Sequence, residues 1–84
     1  MIRVSSKALK AVGAELARLL KAAREERGLS LNVVGERAGL SYQMVSYVER
    51  ELRTPTVETL VRIASALEVD PAKILDQAMK AAGK

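Results

Sequence analysis

Residues 30 to 50, SLNVVGERAGLSYQMVSYVER, constrain the fold more than any other stretch, because they leave room for two short helices and almost nothing between them. Val34 and Ala38 stand four apart, the spacing of one helix face, and Ser30 precedes them where a hydroxyl caps free backbone N–H groups. The pattern predicts a helix over 31–38. Gly39 follows at the point where a chain leaving a helix takes positive φ, a conformation glycine adopts without steric cost. Leu40 is apolar and Ser41 is a second cap, so another helix begins at once, with Val45 and Val48 on its inner side. A link of about three residues holds two such helices crossed.

The remainder reads as bracing for that pair. Ser5 or Ser6 caps a first helix running to about Arg27, with Leu9, Val12, Leu16, Leu20 and Ala23 facing inward at three-to-four spacing and Gly28 ending it. Residues 1–4 are expected to form a short arm. Thr56 caps a helix over 57–67 that buries Leu60, Ile63, Ala64 and Leu67, with Val57 and Val61 beside them. Between it and the central pair, Leu52 is the expected apolar plug and Pro55 forbids a continuous helix. Asp70 with Pro71 is a favourable start for a last helix. Its apolar positions, Ile74, Leu75, Ala78, Met79 and Ala82, exceed what docking one short helix needs, and the excess is read as a dimer contact.

Eighty-four residues make one domain, and nearly half of them are hydrophobic although only two are aromatic. Such a core is built from Leu, Val, Ile and Ala, and no run alternates with a period of two, so the class is all-α. Cysteine and histidine are absent. That excludes disulfides, thiol and imidazole chemistry and the usual zinc ligand sets, and no glycine-rich phosphate loop or paired carboxylates suggest an enzyme. No cofactor is expected. No apolar run approaches the roughly 20 residues of a membrane span, so a cytoplasmic location is expected. The net charge of +4 favours an anionic partner.

Two crossed helices joined this tightly resemble the helix-turn-helix unit, which offers its second helix to the DNA major groove. The chain is similar to the Xre or Cro/repressor type of that unit, the family of lambdoid phage repressors, restriction-modification controller proteins and many antitoxins. The likeness runs from about Leu16 to Leu75 through L-x-x-A-R-E-E-R-G-L-S (20–30), A-G-L-S (38–41), V-x-x-V-E-R (45–50) and P-T-V-E-T-L (55–60). It implies a compact five-helix bundle of the lambda repressor-like type. It also implies a partly buried ion pair between Arg24 and Glu49 that orients the recognition helix. Three positions depart from the family's pattern. Leu31 stands where a phosphate-clamping glutamine is common, Val33 where a glutamate completes a capping box, and Glu51 where glycine ends the recognition helix. With glutamate there, the helix either runs a residue or two longer or closes with strain.

A second helix in the major groove sets its early outward side chains, Tyr42, Gln43, Ser46 and Tyr47, against base edges. Gln43 is suited to a bidentate pair with adenine. The tyrosines offer ring faces to thymine methyls, or are ordinary surface packing; Met44 either touches a methyl group or packs under the turn. Ser30, Asn32, Arg37, Arg50, Arg53, Thr54 and Thr56 are the candidates for phosphate contact, each with a solvated surface role as its alternative. Arg50 and Arg53, adjoining the recognition helix, favour contact. The function expected is a homodimeric, sequence-specific regulator of transcription on a roughly palindromic double-stranded operator, with no small-molecule effector. The alternative is an antitoxin that neutralises a toxin protein and regulates its own promoter.

Overall fold

The computed structural model describes residues 5 to 83, so the expected arm at 1–4 lies outside the described residues. Five helices follow in order: α1 (Ser6–Glu26), α2 (Leu31–Ala38), α3 (Tyr42–Glu49), α4 (Val57–Ala66) and α5 (Pro71–Ala82), with no strand among the described residues. At 1.5 Å per residue a helix as long as α1 is about 30 Å from end to end. It sets the long axis of a body measuring 37 × 20 × 19 Å.

Every helix starts on a side chain that accepts a backbone N–H. Ser5, Ser30, Ser41, Thr56 and Asp70 accept from Ala8, Val33, Met44, Thr59 and Ala72 at 2.8 to 3.2 Å. Each cap satisfies one of the donors a helix start leaves free. The first four helices also end alike. A residue turns left-handed, and the amide after it donates back to the final turn: Leu29 to Arg24, Leu40 to Gly35, Leu52 to Tyr47 and Val69 to Ala64, at 2.8 to 3.1 Å. The left-handed residues are Gly28, Gly39, Glu51 and Glu68. Glycine is therefore used at only two of four closures, and the other two hold a Cβ at a cost of about 1 kcal/mol each.

α5 lies along α1, α2 packs on α3 and α4, and α3 also meets α1. Leu20, Val34, Val45, Val48, Ile63 and Leu67 are the largest side chains fully enclosed where these helices converge. Val45 and Val48 are thus the inner edge of α3, as their spacing requires. Several expected core positions lie outside it. Leu9 and Leu52 are exposed, and Val57, expected beside the buried residues of its helix, is 80% exposed, with Val61 also open. Leu9 sits in the first turn of α1, beyond the reach of the core; Leu52 follows the left-handed Glu51 and is carried outward.

The dimer reading of α5 also needs correction. Ile74 and Ala78 are buried in the protomer's own core, because they form the edge of α5 that faces α1. They are unavailable to a partner. Leu75 and Met79, one position further round the helix, are exposed, and Ala82 is half-buried.

Candidate nucleic-acid interface

The turn between α2 and α3 is built on two glycines. Gly39 closes α2 with φ of 71°. Gly35, one turn earlier and buried, lets the chain after the turn approach the helix closely. A Cβ there would lie 2.7 Å from the Leu40 carbonyl oxygen and 3.2 Å from the Tyr42 nitrogen, both backbone atoms. Only a residue without a side chain permits this approach. The sequence pattern pointed to Gly39 alone, because helical glycine has no positional signal unless a neighbouring backbone is known. The opposite side of the turn is covered by α4, whose Arg62 donates from Nη1 to the carbonyl oxygen of Ala38 at 3.2 Å.

The far end of α3 is held by a charge pair. Arg24 donates from Nε and Nη2 to the two carboxylate oxygens of Glu49, at 2.7 and 3.0 Å, and from Nη1 to the Leu29 carbonyl at 2.9 Å. The Arg24 side chain is 15% exposed and that of Glu49 is 7%. The guanidinium pKa is raised above its ordinary value, first by the hydrogen bond with Glu49, while burial works against it and the Glu49 and Glu25 charges reinforce it. One planar fork thereby joins the end of α1, the entry to α2 and the end of α3. The ion pairs Arg18–Glu15, Arg62–Glu58 and Lys80–Asp76 each join residues of one helix near its surface.

Held at both ends, α3 presents Tyr42, Gln43, Ser46 and Tyr47 away from its valines. Tyr42 and Gln43 are exposed, whereas Ser46 and Tyr47 are half-buried, so the outer ridge is sharpest at the start of the helix. Met44 is half-buried and packs against the core. Positions 42, 43, 46 and 47 repeat at one and four residues and share one side of a helix, the arrangement that fits a groove lined by base edges.

The expected phosphate ligands come from α2 and its cap, the end of α3 and the segment leading into α4. Asn32, Arg37, Arg50, Arg53 and Thr54 are all exposed. Among the described residues none of them has a side-chain hydrogen-bond partner, so their donors face solvent. Ser30 accepts from Val33 through Oγ, and its hydroxyl proton remains available. Thr56 differs: its hydroxyl accepts from the Thr59 amide and donates to Thr59 Oγ1 at 3.0 Å. Its side chain already serves the cap, unlike those of the three arginines. Among the described residues no group of His, Cys, Asp or Glu is arranged to hold a metal ion, and no helix is long and apolar enough to cross a membrane.

Comparison with known proteins places this geometry. The helix-turn-helix family model matches residues 20–74. The chain is 42% identical over 66 residues to the HTH-type transcriptional regulator y4dJ of Sinorhizobium fredii, covering 79% of this chain and 80% of that protein. It is 43% identical over 54 residues to the HTH-type transcriptional regulator SutR of Escherichia coli, covering 64% of this chain but only 30% of SutR. Among solved structures, the restriction-modification controller protein C.AhdI of Aeromonas hydrophila aligns with a TM-score of 0.70 at 26% identity, over 74% of this chain and 94% of its own. With the matched segment spanning all of α2, α3 and α4, the chain belongs to the Xre and Cro/repressor type of helix-turn-helix family.

Proposed function

We propose that this protein is a DNA-binding regulator of transcription that reads the major groove through the outer ridge of α3. The observation that carries the reading is the division of α3 into two sides. Val45 and Val48 are fully enclosed, while Tyr42 and Gln43, the first residues after the Ser41 cap, stand exposed. Gln43 has the donor and acceptor to pair with adenine N6 and N7, which is worth about 1 to 3 kcal/mol of discrimination. Arg50, Arg53, Arg37 and the Ser30 end of α2 supply phosphate contacts that set register without reading sequence.

A single α3 spans only a few base pairs, so the active form is a homodimer whose recognition helices sit about 34 Å apart on a two-fold symmetric operator. The contact surface we assign is the strip left uncovered by the fold: Leu75 and Met79 of α5, extended by Val57 of α4 and Leu9 of α1, with Ala82 at its edge. Met79 is 54% exposed, and Leu9, Val57 and Leu75 line one shared groove that contains no residue of α3. Pairing there leaves the base-reading ridge free.

Selection of bound duplexes from a random library tests the whole reading. The expected product is a short motif with two-fold symmetry. Recovery of no preferred sequence would remove base reading, and a motif without symmetry would remove the dimer. Met79→Glu is expected to shift the protein toward monomer in sedimentation, and an intact dimer would move the contact elsewhere.

A further inference from the structure

Arg62 lies within the segment that the family model matches but apart from the ridge, and among the described residues it is the one side chain of α4 that reaches the α2–α3 turn with a hydrogen bond. Its Nη1 lies 3.2 Å from the Ala38 carbonyl oxygen, and the same atom would be 3.0 Å from a Cβ built on Gly39. Ala38 is the last residue of α2, where a carbonyl has no partner within the helix. A cationic donor at a helix C-terminus both satisfies that oxygen and meets the negative end of the helix dipole. On its other side Nε is paired at 3.3 Å with the solvent-exposed Glu58, a surface contact that leaves the cap to Nη1.

We propose that Arg62 is a positioning residue for DNA recognition. By capping α2 from outside, it locks the left-handed turn at Gly39 and so sets the aim of α3, without itself touching DNA. This rests on the reading of α3 as the base-reading helix. Three contacts then define the turn: Gly35 from below, Ser41 from within, and Arg62 from above. The first is a close backbone approach with no room for a Cβ, and the second is a short-range cap on the Met44 amide. The third is a side chain 47% exposed, so it is the element through which the turn can loosen.

A cap and a phosphate ligand give opposite signatures. Loss of a phosphate contact lowers affinity for all sequences and reduces the salt slope by about one unit. Loss of a cap lowers only the affinity that depends on correct aim. With the preferred duplex taken from the library selection, Arg62→Ala, Arg62→Lys and Glu58→Gln are compared with the unaltered protein on that duplex and on random DNA across a salt series. Amide hydrogen exchange at Gly39 and Leu40 is followed without DNA. For Arg62→Ala we expect exchange at those amides to accelerate and specific affinity to fall roughly tenfold, the scale of one charge-assisted hydrogen bond. The salt slope stays unchanged. Arg62→Lys, which keeps a cationic donor, recovers most of the loss, and Glu58→Gln behaves as the unaltered protein. A slope reduced by one unit, or an unchanged ratio of specific to random affinity, would overturn the proposal. So would unchanged exchange. Should the alanine variant not fold, Arg62→Met keeps the stem and is read the same way. A library with no preferred duplex would sink base reading by α3, while the exchange data would still decide the cap.

Discussion

The two ends of the recognition helix are fixed by different kinds of interaction. At its start, α3 is placed by backbone against backbone: the chain at Leu40 and Tyr42 rests on Gly35, and Gly39 supplies the left-handed step. At its finish, α3 is placed by one guanidinium reaching across 25 residues of sequence to Glu49, and the left-handed step falls on a glutamate. The start is therefore vulnerable to any added atom, and the finish to the loss of one.

The finish is where a single change does most. Glu49→Ala leaves the Arg24 guanidinium enclosed with one carbonyl partner, and on the order of 3 kcal/mol of stability should be lost in urea unfolding. The reciprocal Arg24→Ala strands a carboxylate that is 7% exposed and should cost as much. The double replacement Arg24→Met with Glu49→Leu sharpens the contrast. Well-packed apolar groups in place of a buried pair are often neutral, so stability should largely return, while aim, which the fork alone specifies, should not. A double variant as unstable as either single one would mean that the pair stabilises the fold rather than only orienting α3.

At the start the expected loss is smaller but more damaging to function. Gly35→Ala places a Cβ 2.7 Å from a backbone oxygen that has no rotamer to yield, and about 1 to 3 kcal/mol is the usual cost of such overpacking. Relief requires α3 to move away from α2. Specific DNA affinity should then fall further than the loss of stability accounts for, as a binding series beside a thermal melt would show. Proportionate losses would indicate that the turn relaxes without re-aiming the helix.

These two ends also mark what the sequence makes legible. Caps at Ser30, Ser41, Thr56 and Asp70 and the left-handed Gly39 are local chemistry, so the helices and the turn could be read from residue type alone. Gly35 could not be read, because its requirement comes from a neighbour five residues away that approaches only after folding. The same limit applies to α5. Ile74 with Ala78 and Leu75 with Met79 are both apolar pairs at a spacing of four, and only the position of α1 decides which pair is buried. Arg62 stands four residues after Glu58, the spacing of an ordinary solvated pair, and its reach to Ala38 joins elements 24 residues apart.

The two glycines and two glutamates at the helix closures give the finer tests. Gly39→Ala forces a Cβ into left-handed backbone and toward Arg62 Nη1, and a loss of about 1 to 2 kcal/mol is expected in urea unfolding.

Glu51→Gly runs the other way and is the smallest effect. Glu51 holds φ of 61° with an exposed side chain, while the closing bonds, Glu51 to Val48 at 3.2 Å and Leu52 to Tyr47 at 2.8 Å, use only backbone atoms. Glycine keeps those bonds and removes the steric cost, though it frees the unfolded chain, so the net gain should be at most about 1 kcal/mol. The exposed carboxylate stands two residues from Arg53 in the segment assigned to phosphate contact, and its removal also lifts a like-charge repulsion from DNA. Affinity for random duplexes should rise with it at low salt and converge with the unaltered protein at high salt. Glu68→Gly, at the equivalent closure of α4 with φ of 58°, separates the two contributions: it should match Glu51→Gly in stability and leave DNA affinity unchanged. If both variants raise affinity alike, the gain is one of net charge and the end of α3 has no special place on the DNA. If only Glu51→Gly does, the loop following the recognition helix lies against the phosphates, and its strained closure is a point where stability and affinity can be improved together.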